Sequence, residues 1–356
     1  MDNVNGGQGV TKAQVIAMAM VILFQISIVP NPSMLDETST SMESSVSNQL
    51  ETYSLYLTTG NNLSTVLPSE GGQLEASALD TSLEFTTNEL MQSLQVVGDK
   101  RQTGGGSQYY IPLNIFLKAE GPQNSIVTWT FSLQAGGSTV ATGELENEAC
   151  SGFGGCDFEH EAIDVDLTGS GGSSSFMVSE SDELVLVIRA EMTGCGDGGF
   201  FNDCDAKVAF NQISGDSRYS LIDISTNAVS DTVFFVQRPG DGFIDGAVVD
   251  WYPNDVISDR EMQFSFDVKS AFGRKDIESV ELRLRYTETN QLMLEKDLTP
   301  VPQQIEWTTE GLFGRFKWTY QSGLESGDYE AELRVTDVQS NVFTISHETI
   351  KMNEFG

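Results

Sequence analysis

The chain has 356 residues, with 52 Asp plus Glu against 19 Lys plus Arg and a formal net charge of -33 at pH 7. A surface of that sign repels a phosphate backbone, which excludes nucleic acid as a partner. Hydrophobic residues make up 39% of the chain, including 20 Phe, 9 Tyr and 4 Trp. That supply of core side chains argues against wholesale disorder, and the length predicts two domains plus an anchor.

In chain order, a short N-terminal segment (1–12) leads into Ala13–Val29 (AQVIAMAMVILFQISIV), the one apolar run that suits a membrane. About 17 residues in a helix reach about 26 Å, just short of a hydrocarbon core of about 30 Å. Asp2 precedes the run and Ser27-Ile28-Val29-Pro30 follows it, whereas a cleaved secretory peptide has a basic start and a small-x-small site. A retained anchor with a cytoplasmic N-terminus is therefore predicted, with Lys12 as the flanking cation. Gln14, Gln25 and Ser27 suit helix–helix contact, so protein partners or self-assembly are expected beside the membrane itself. The competing reading of so short a run is a buried core helix.

Gly7-Gln8-Gly9-Val10-Thr11-Lys12, running straight into the apolar helix, resembles the N-terminus of archaeal type IV pilin-like proteins. The resemblance implies cutting by a prepilin peptidase just before the helix and assembly of a filament through it. This sequence lacks the basic residue that such families place before the cleavage glycine, and their glutamate early in the mature chain.

Residues 30–75 are rich in Ser, Thr, Asn and Gly and read as a stalk, with one patterned stretch around Val46 to Leu57. Pro30 and Pro32 end the helix near the interface, because proline lacks the N–H that a continuing helix needs. Asn62-Leu63-Ser64 is the sole Asn-x-Ser/Thr sequon without proline, and so the sole N-glycan acceptor motif of that form.

From 76 to 225 short runs alternate in polarity, as in Tyr110 to Leu117 and Ile126 to Leu133, and are bounded by Gly, Ser and Asp. Period two with β-branched and aromatic residues marks strands. Many strands over that length predict a two-sheet sandwich of jelly-roll-like topology. Cys150, Cys156, Cys195 and Cys204 fall there as two close pairs, and an even count in Gly- and Asp-rich loops outside the cytoplasm predicts local disulfides. Neither pair has the Cys-x2-4-Cys spacing of a zinc site, and exchange of partners between the two loops stays open. Tyr109, Phe153, Phe200 and Phe201 are candidates for stacking on surface glycans.

Residues 232–352 form a second unit with strands at Met262 to Val268, Val280 to Tyr286, Gly314 to Trp318 and Tyr329 to Asp337. The phrase Gly327-Asp328-Tyr329-Glu330-Ala331-Glu332-Leu333-Arg334-Val335-Thr336-Asp337 resembles the penultimate strand of immunoglobulin-like modules of surface proteins, which implies a second β-sandwich. The whole fold class is thus mainly β, with an N-terminal transmembrane or assembly helix before two sandwiches.

Candidate chemistry is sparse. His160 and His347 are the only histidines, few centres for nucleophilic catalysis, and no catalytic residue or cofactor is assigned. Calcium is the candidate metal, because it takes hard oxygen ligands in Gly-rich loops. Asp197, Asp203 and Asp205 in one loop, and Asp241 and Asp245 with Asp250 in another, supply such oxygens, although ordinary turn chemistry also explains them. The expectation is a non-enzymatic, membrane-anchored extracellular structural or adhesion protein, pilin-like or otherwise surface-assembled. Its rivals are a carbohydrate-binding module, a surface hydrolase and a viral spike or fibre component.

Overall fold

A computed structural model describes residues 50–68, 74–104, 106–151, 156–168, 173–195, 204–210, 219–229, 233–237, 249–251, 261–299, 305–319, 325, 327–346 and 350–352. The expected anchor helix (13–29) and most of the expected calcium ligands lie outside these residues. Among the described residues the chain is mainly β, and no helix is long and apolar enough to cross a membrane.

The first sandwich contains β1 (Glu51–Thr58), β2 (Asn62–Ser64), β3 (Leu74–Ser77), β4 (Ser82–Thr86), β5 (Leu94–Val97), β6 (Asp99–Thr103), β7 (Gly106–Glu120), β8 (Ile126–Ala135), β9 (Ser138–Glu148), β10 (Glu159–Leu167), β11 (Ser175–Val178), β12 (Leu184–Met192), β13 (Asp205–Phe210) and β14 (Leu221–Thr226). Eight of these make two antiparallel arrays, β1-β14-β7-β10 and β4-β12-β8-β9. The hydrogen-bonded path closes on itself, because β2 joins β1 to β4 and a two-residue contact joins β9 to β10. Strict alternation explains the packing. On β8, Val127, Trp129, Phe131 and Leu133 are buried while the residues between them face outward, as period two requires.

The expected stalk is corrected here. Residues 51–58 form β1, pair along their length with β14, and bury Tyr53, Leu55 and Leu57 completely. Their Ser/Thr-rich setting hides an apolar residue at every second position, and period outweighs composition in fixing a strand. The sandwich therefore begins before residue 76, and it extends past 225 to the fully buried Ala228 and Val229.

The second sandwich contains β15 (Val233–Gln237), β16 (Val249–Trp251), β17 (Glu261–Lys269), β18 (Ile277–Tyr286), β19 (Gln291–Asp297), β20 (Ile305–Trp307), β21 (Gly311–Thr319), β22 (Gly327–Asp337), β23 (Val342–Ser346) and β24 (Ile350–Met352). One sheet runs β15-β17-β21-β20, and the other places β18 between β19 and β22, with β23 on the far edge of β22. That is the A-B-E-D and C′-C-F-G order of immunoglobulin-like modules. Tyr329, near the start of the F-equivalent strand, donates its hydroxyl to the Glu325 carbonyl four residues back, at 2.9 Å. This is the tyrosine corner that pins the E–F connection in such folds. The two sandwiches belong to one compact unit.

Candidate functional site at the sandwich junction

The junction grows from two turns of the second sandwich. Between β17 and β18 the chain turns through Ser270–Asp276, and between β22 and β23 through Asp337–Asn341. Gly273 sits at φ 79°, and a Cβ there would lie 3.0 Å from the Thr309 carbonyl and 3.5 Å from Met91, so glycine lets the first turn approach its neighbour closely. The Asp337 carboxylate accepts from the backbone N–H groups of Gln339 and Asn341, both at 2.8 Å, which holds the second turn in shape.

These turns grip the first sandwich by backbone and side chain together. The Met91 N–H donates to the Ala271 carbonyl, and the Ala271 N–H to the Ala228 carbonyl. Gln339 Oε1 accepts from the Ser54 N–H at 2.9 Å, while its Nε2 donates to the carbonyls of Ser54 at 2.7 Å and Thr65 at 2.8 Å. One amide thus satisfies three backbone groups that would otherwise be desolvated without partners. The rings of Tyr53 and Phe272 meet at 5.5 Å.

Beneath these contacts lie two carboxylates with no solvent exposure, Asp276 and Asp337. Ser270 Oγ donates to Asp276 Oδ2 at 2.6 Å. Burial pushes the Asp276 pKa up to about 6; the Ser270 hydrogen bond opposes this, nearby Asp337 adds to it, and the Thr65 hydroxyl opposes it weakly. Burial first, then the charges of Asp276 and Asp337, drive the Tyr53 hydroxyl far above the ordinary tyrosine range. The cations that flank Asp276 in sequence are turned elsewhere. Arg274 stacks 3.3 Å over the Trp307 ring and donates to the Ile277 carbonyl, and Lys275 is exposed.

A groove of about 270 Å³ opens beside the junction, with Asn62, Ser64, Thr87 and Asn88 from the first sandwich and Phe272 and Lys275 from the second. Its lining is mainly hydroxyls and amides, with the apolar Leu63 and Val66, one aromatic ring and one amine.

The cysteines pair locally, Cys150 with Cys156 and Cys195 with Cys204. Both bonds gather around the C-terminal end of β7. Glu120 bridges to Cys150 and pairs in register with Asp205, the residue after Cys204. β14 runs antiparallel to β7 from its contact at Asn114, so it leads away from this rim and toward Ala228 at the junction. The disulfide rim and the junction are therefore opposite ends of the first sandwich.

The expected site residues are scattered between described and undescribed parts. Asp205 is described, and its carboxylate lies 3.0 Å from Lys207 Nζ, which also reaches Glu75 at 2.9 Å. Asp197, Asp203, Asp241 and Asp245 lie outside the described residues, and among the described ones no three acidic, His or Cys groups gather as a metal site. Tyr109 is half-buried on β7, and Phe153, Phe200 and Phe201 lie outside the described residues. His160 is exposed on β10 with its ring 4.9 Å from that of Phe116. The junction residues went unread in the sequence, although Asp337-Val338-Gln339-Ser340-Asn341 carries the turn chemistry that could have marked them.

No family model matches the chain, and no curated protein matches it in sequence. Among solved structures it is similar to a β-glucuronidase from Parabacteroides merdae, at 9% identity and a TM-score of 0.23 over 75% of this chain and 35% of that one. It is also similar to the fibronectin(III)-like modules of CbhA from Clostridium thermocellum, at 8% identity and a TM-score of 0.21 over 80% of this chain and 95% of that one. The chain spans about a third of the length of the glucuronidase. Likeness at this level carries no activity from either protein to this one.

Proposed function

We propose that this chain is a non-enzymatic, membrane-anchored surface protein whose two sandwiches act as one rigid head, built for structural presentation or assembly. The observation that carries the reading is the junction. The turns at one end of an immunoglobulin-like sandwich are where binding often lives, and here the Ser270–Asp276 and Asp337–Asn341 turns are spent on gripping β1 and its neighbours. The strand order β1-β14-β7-β10 over β4-β12-β8-β9 supports a jelly roll for the first sandwich. Two disulfides support an oxidising compartment.

β1 begins at the junction, where Glu51 pairs with Thr226. Contact with other molecules then falls to the loops of the first sandwich. Anchorage and assembly both follow from Ala13–Val29. The test is fractionation and chemical cross-linking of the full chain beside a variant lacking residues 1–30. The full chain is expected in the membrane or filament fraction as cross-linked multimers, and the variant as a soluble monomer. A soluble, monomeric full chain with free thiols would overturn the proposal.

A further inference from the structure

We infer that Asn62 carries an N-linked oligosaccharide and that this glycan lies in the groove between the two sandwiches. The inference rests on the extracytoplasmic placement proposed above, and three observations converge on it. Asn62-Leu63-Ser64 has the spacing that an oligosaccharide transferase reads, with a hydroxyl residue two positions after the asparagine. The structure places Asn62 at the mouth of the hairpin between β1 and β2, exposed, directly after a turn in which Gly60 and Asn61 have positive φ. Its Nδ2 donates only to the exposed Thr59 carbonyl, at 3.0 Å, so that hydrogen is exchangeable for a sugar without opening the core.

The third observation is the groove. Asn62 lines it together with Ser64 and Asn88, and the opposite side is supplied by Phe272 and Lys275 from the second sandwich. Sugars present an apolar ring face and a fringe of hydroxyls, and the groove answers with one aromatic face and several short polar groups. A volume of about 270 Å³ lies just below the range of ordinary ligand pockets, which fits the first sugars of a chain and not a whole antenna. The attached glycan enters with its entropy of association already spent, because it is tethered to the wall it occupies.

The modification is a glycosyl transfer from a polyprenyl-pyrophosphate-linked oligosaccharide. Asn62 Nδ2 forms a C–N bond to the anomeric carbon, the bond from that carbon to the pyrophosphate oxygen breaks, the lipid pyrophosphate leaves with the electron pair, and the amide gives up one proton. No redox step is involved.

The full chain purified from its native membrane is digested and the peptide bearing Asn62 is weighed, with the cysteine state read from the same sample. The expected result is a hexose- or hexosamine-bearing peptide at near-full occupancy, lost in Ser64→Ala and kept in Ser64→Thr. A bare Asn62 beside intact disulfides overturns the site alone, and a bare Asn62 beside four free thiols overturns the compartment as well. An adduct that survives Ser64→Ala overturns the enzymatic origin. For the groove, Phe272→Ala should leave occupancy unchanged while an exoglycosidase trims the sugars nearest Asn62 several-fold faster. An unchanged trimming rate overturns the seating of the glycan.

Discussion

On the solvent face of the second sandwich, carboxylates and cations alternate across the ladder: Glu281 stands opposite Arg334, Arg283 opposite Glu332 and Arg285 opposite Glu330. Arg283 reaches Glu281 at 3.0 Å and Glu295 at 2.9 Å, and Arg285 reaches Glu332 at 3.4 Å. At the junction, Asp276 and Asp337 share a buried space, and among the described residues no ion pair reaches either. The first arrangement uses half-buried, paired charge to fix register, since a slip of one residue would turn every pair to the other face. The second leaves two carboxylates to hydrogen bonds, and burial raises the pKa of Asp276. In a chain so rich in acid, the scarce cations serve strand pairing, and the contact between sandwiches becomes sensitive to pH.

The largest effect should come from removing the junction charge. Asp276 has its pKa raised from 3.8 to about 6 in the fold, so its unfavourable burial is absent below pH 3.8 and fully present above pH 6. A shift of that size corresponds to about 3 kcal/mol. Asp276→Asn should therefore match the parent protein in acid and exceed it by up to that amount at pH 8, as denaturant unfolding across the pH range will measure. A difference that does not change with pH would sink the assignment.

Next in size is the amide clamp. Gln339→Ala leaves the backbone groups of Ser54 and Thr65 without partners, at a cost of about 1–3 kcal/mol. Hydrogen exchange should quicken at the Ser54 and Met91 amides while the tyrosine corner at Tyr329 keeps its protection. Uniform quickening would mean that the two sandwiches unfold as one and that the clamp does not define the junction.

Breaking the ladder should matter less. Arg283→Ala removes a half-buried pair of contacts, and such cross-strand pairs stabilise by roughly 0.2–1 kcal/mol, less in high salt. Thermal unfolding at low and high salt checks both the size and the screening. The smallest effect belongs to β9, where Glu144, Glu146 and Glu148 are exposed opposite Thr130, Thr128 and Ile126. Glu146→Gln should shift stability by no more than about 0.5 kcal/mol, and a larger change would show that this row is not a merely solvated face.

The strands were legible where polarity alternated cleanly, as in Ile126 to Leu133 and Tyr329 to Asp337, because a half-buried strand has no other way to present one face to the core. The local disulfides were legible from spacing. β1 was legible only as the patterned stretch ending at Leu57, because Thr and Ser fill most of its outward positions and drown three buried side chains in a polar composition. The junction was illegible for a different reason. Asp276, Asp337 and Gln339 are ordinary turn residues until the fold brings Ser54, Thr65 and Tyr53 against them, from some 200 to 290 positions away in sequence.

The way β1 enters the fold has a mechanical meaning. A pull on its N-terminal end runs along the strand, and the ladder from Glu51↔Thr226 to Tyr56↔Leu221 lies across the line of force. When the opposing load is taken at the far, disulfide-bearing end of the first sandwich, its hydrogen bonds are sheared together and not unzipped in turn. Gln339 holds Ser54 from the side at the start of that ladder, so the first strand to feel a load is also the strand that both sandwiches hold.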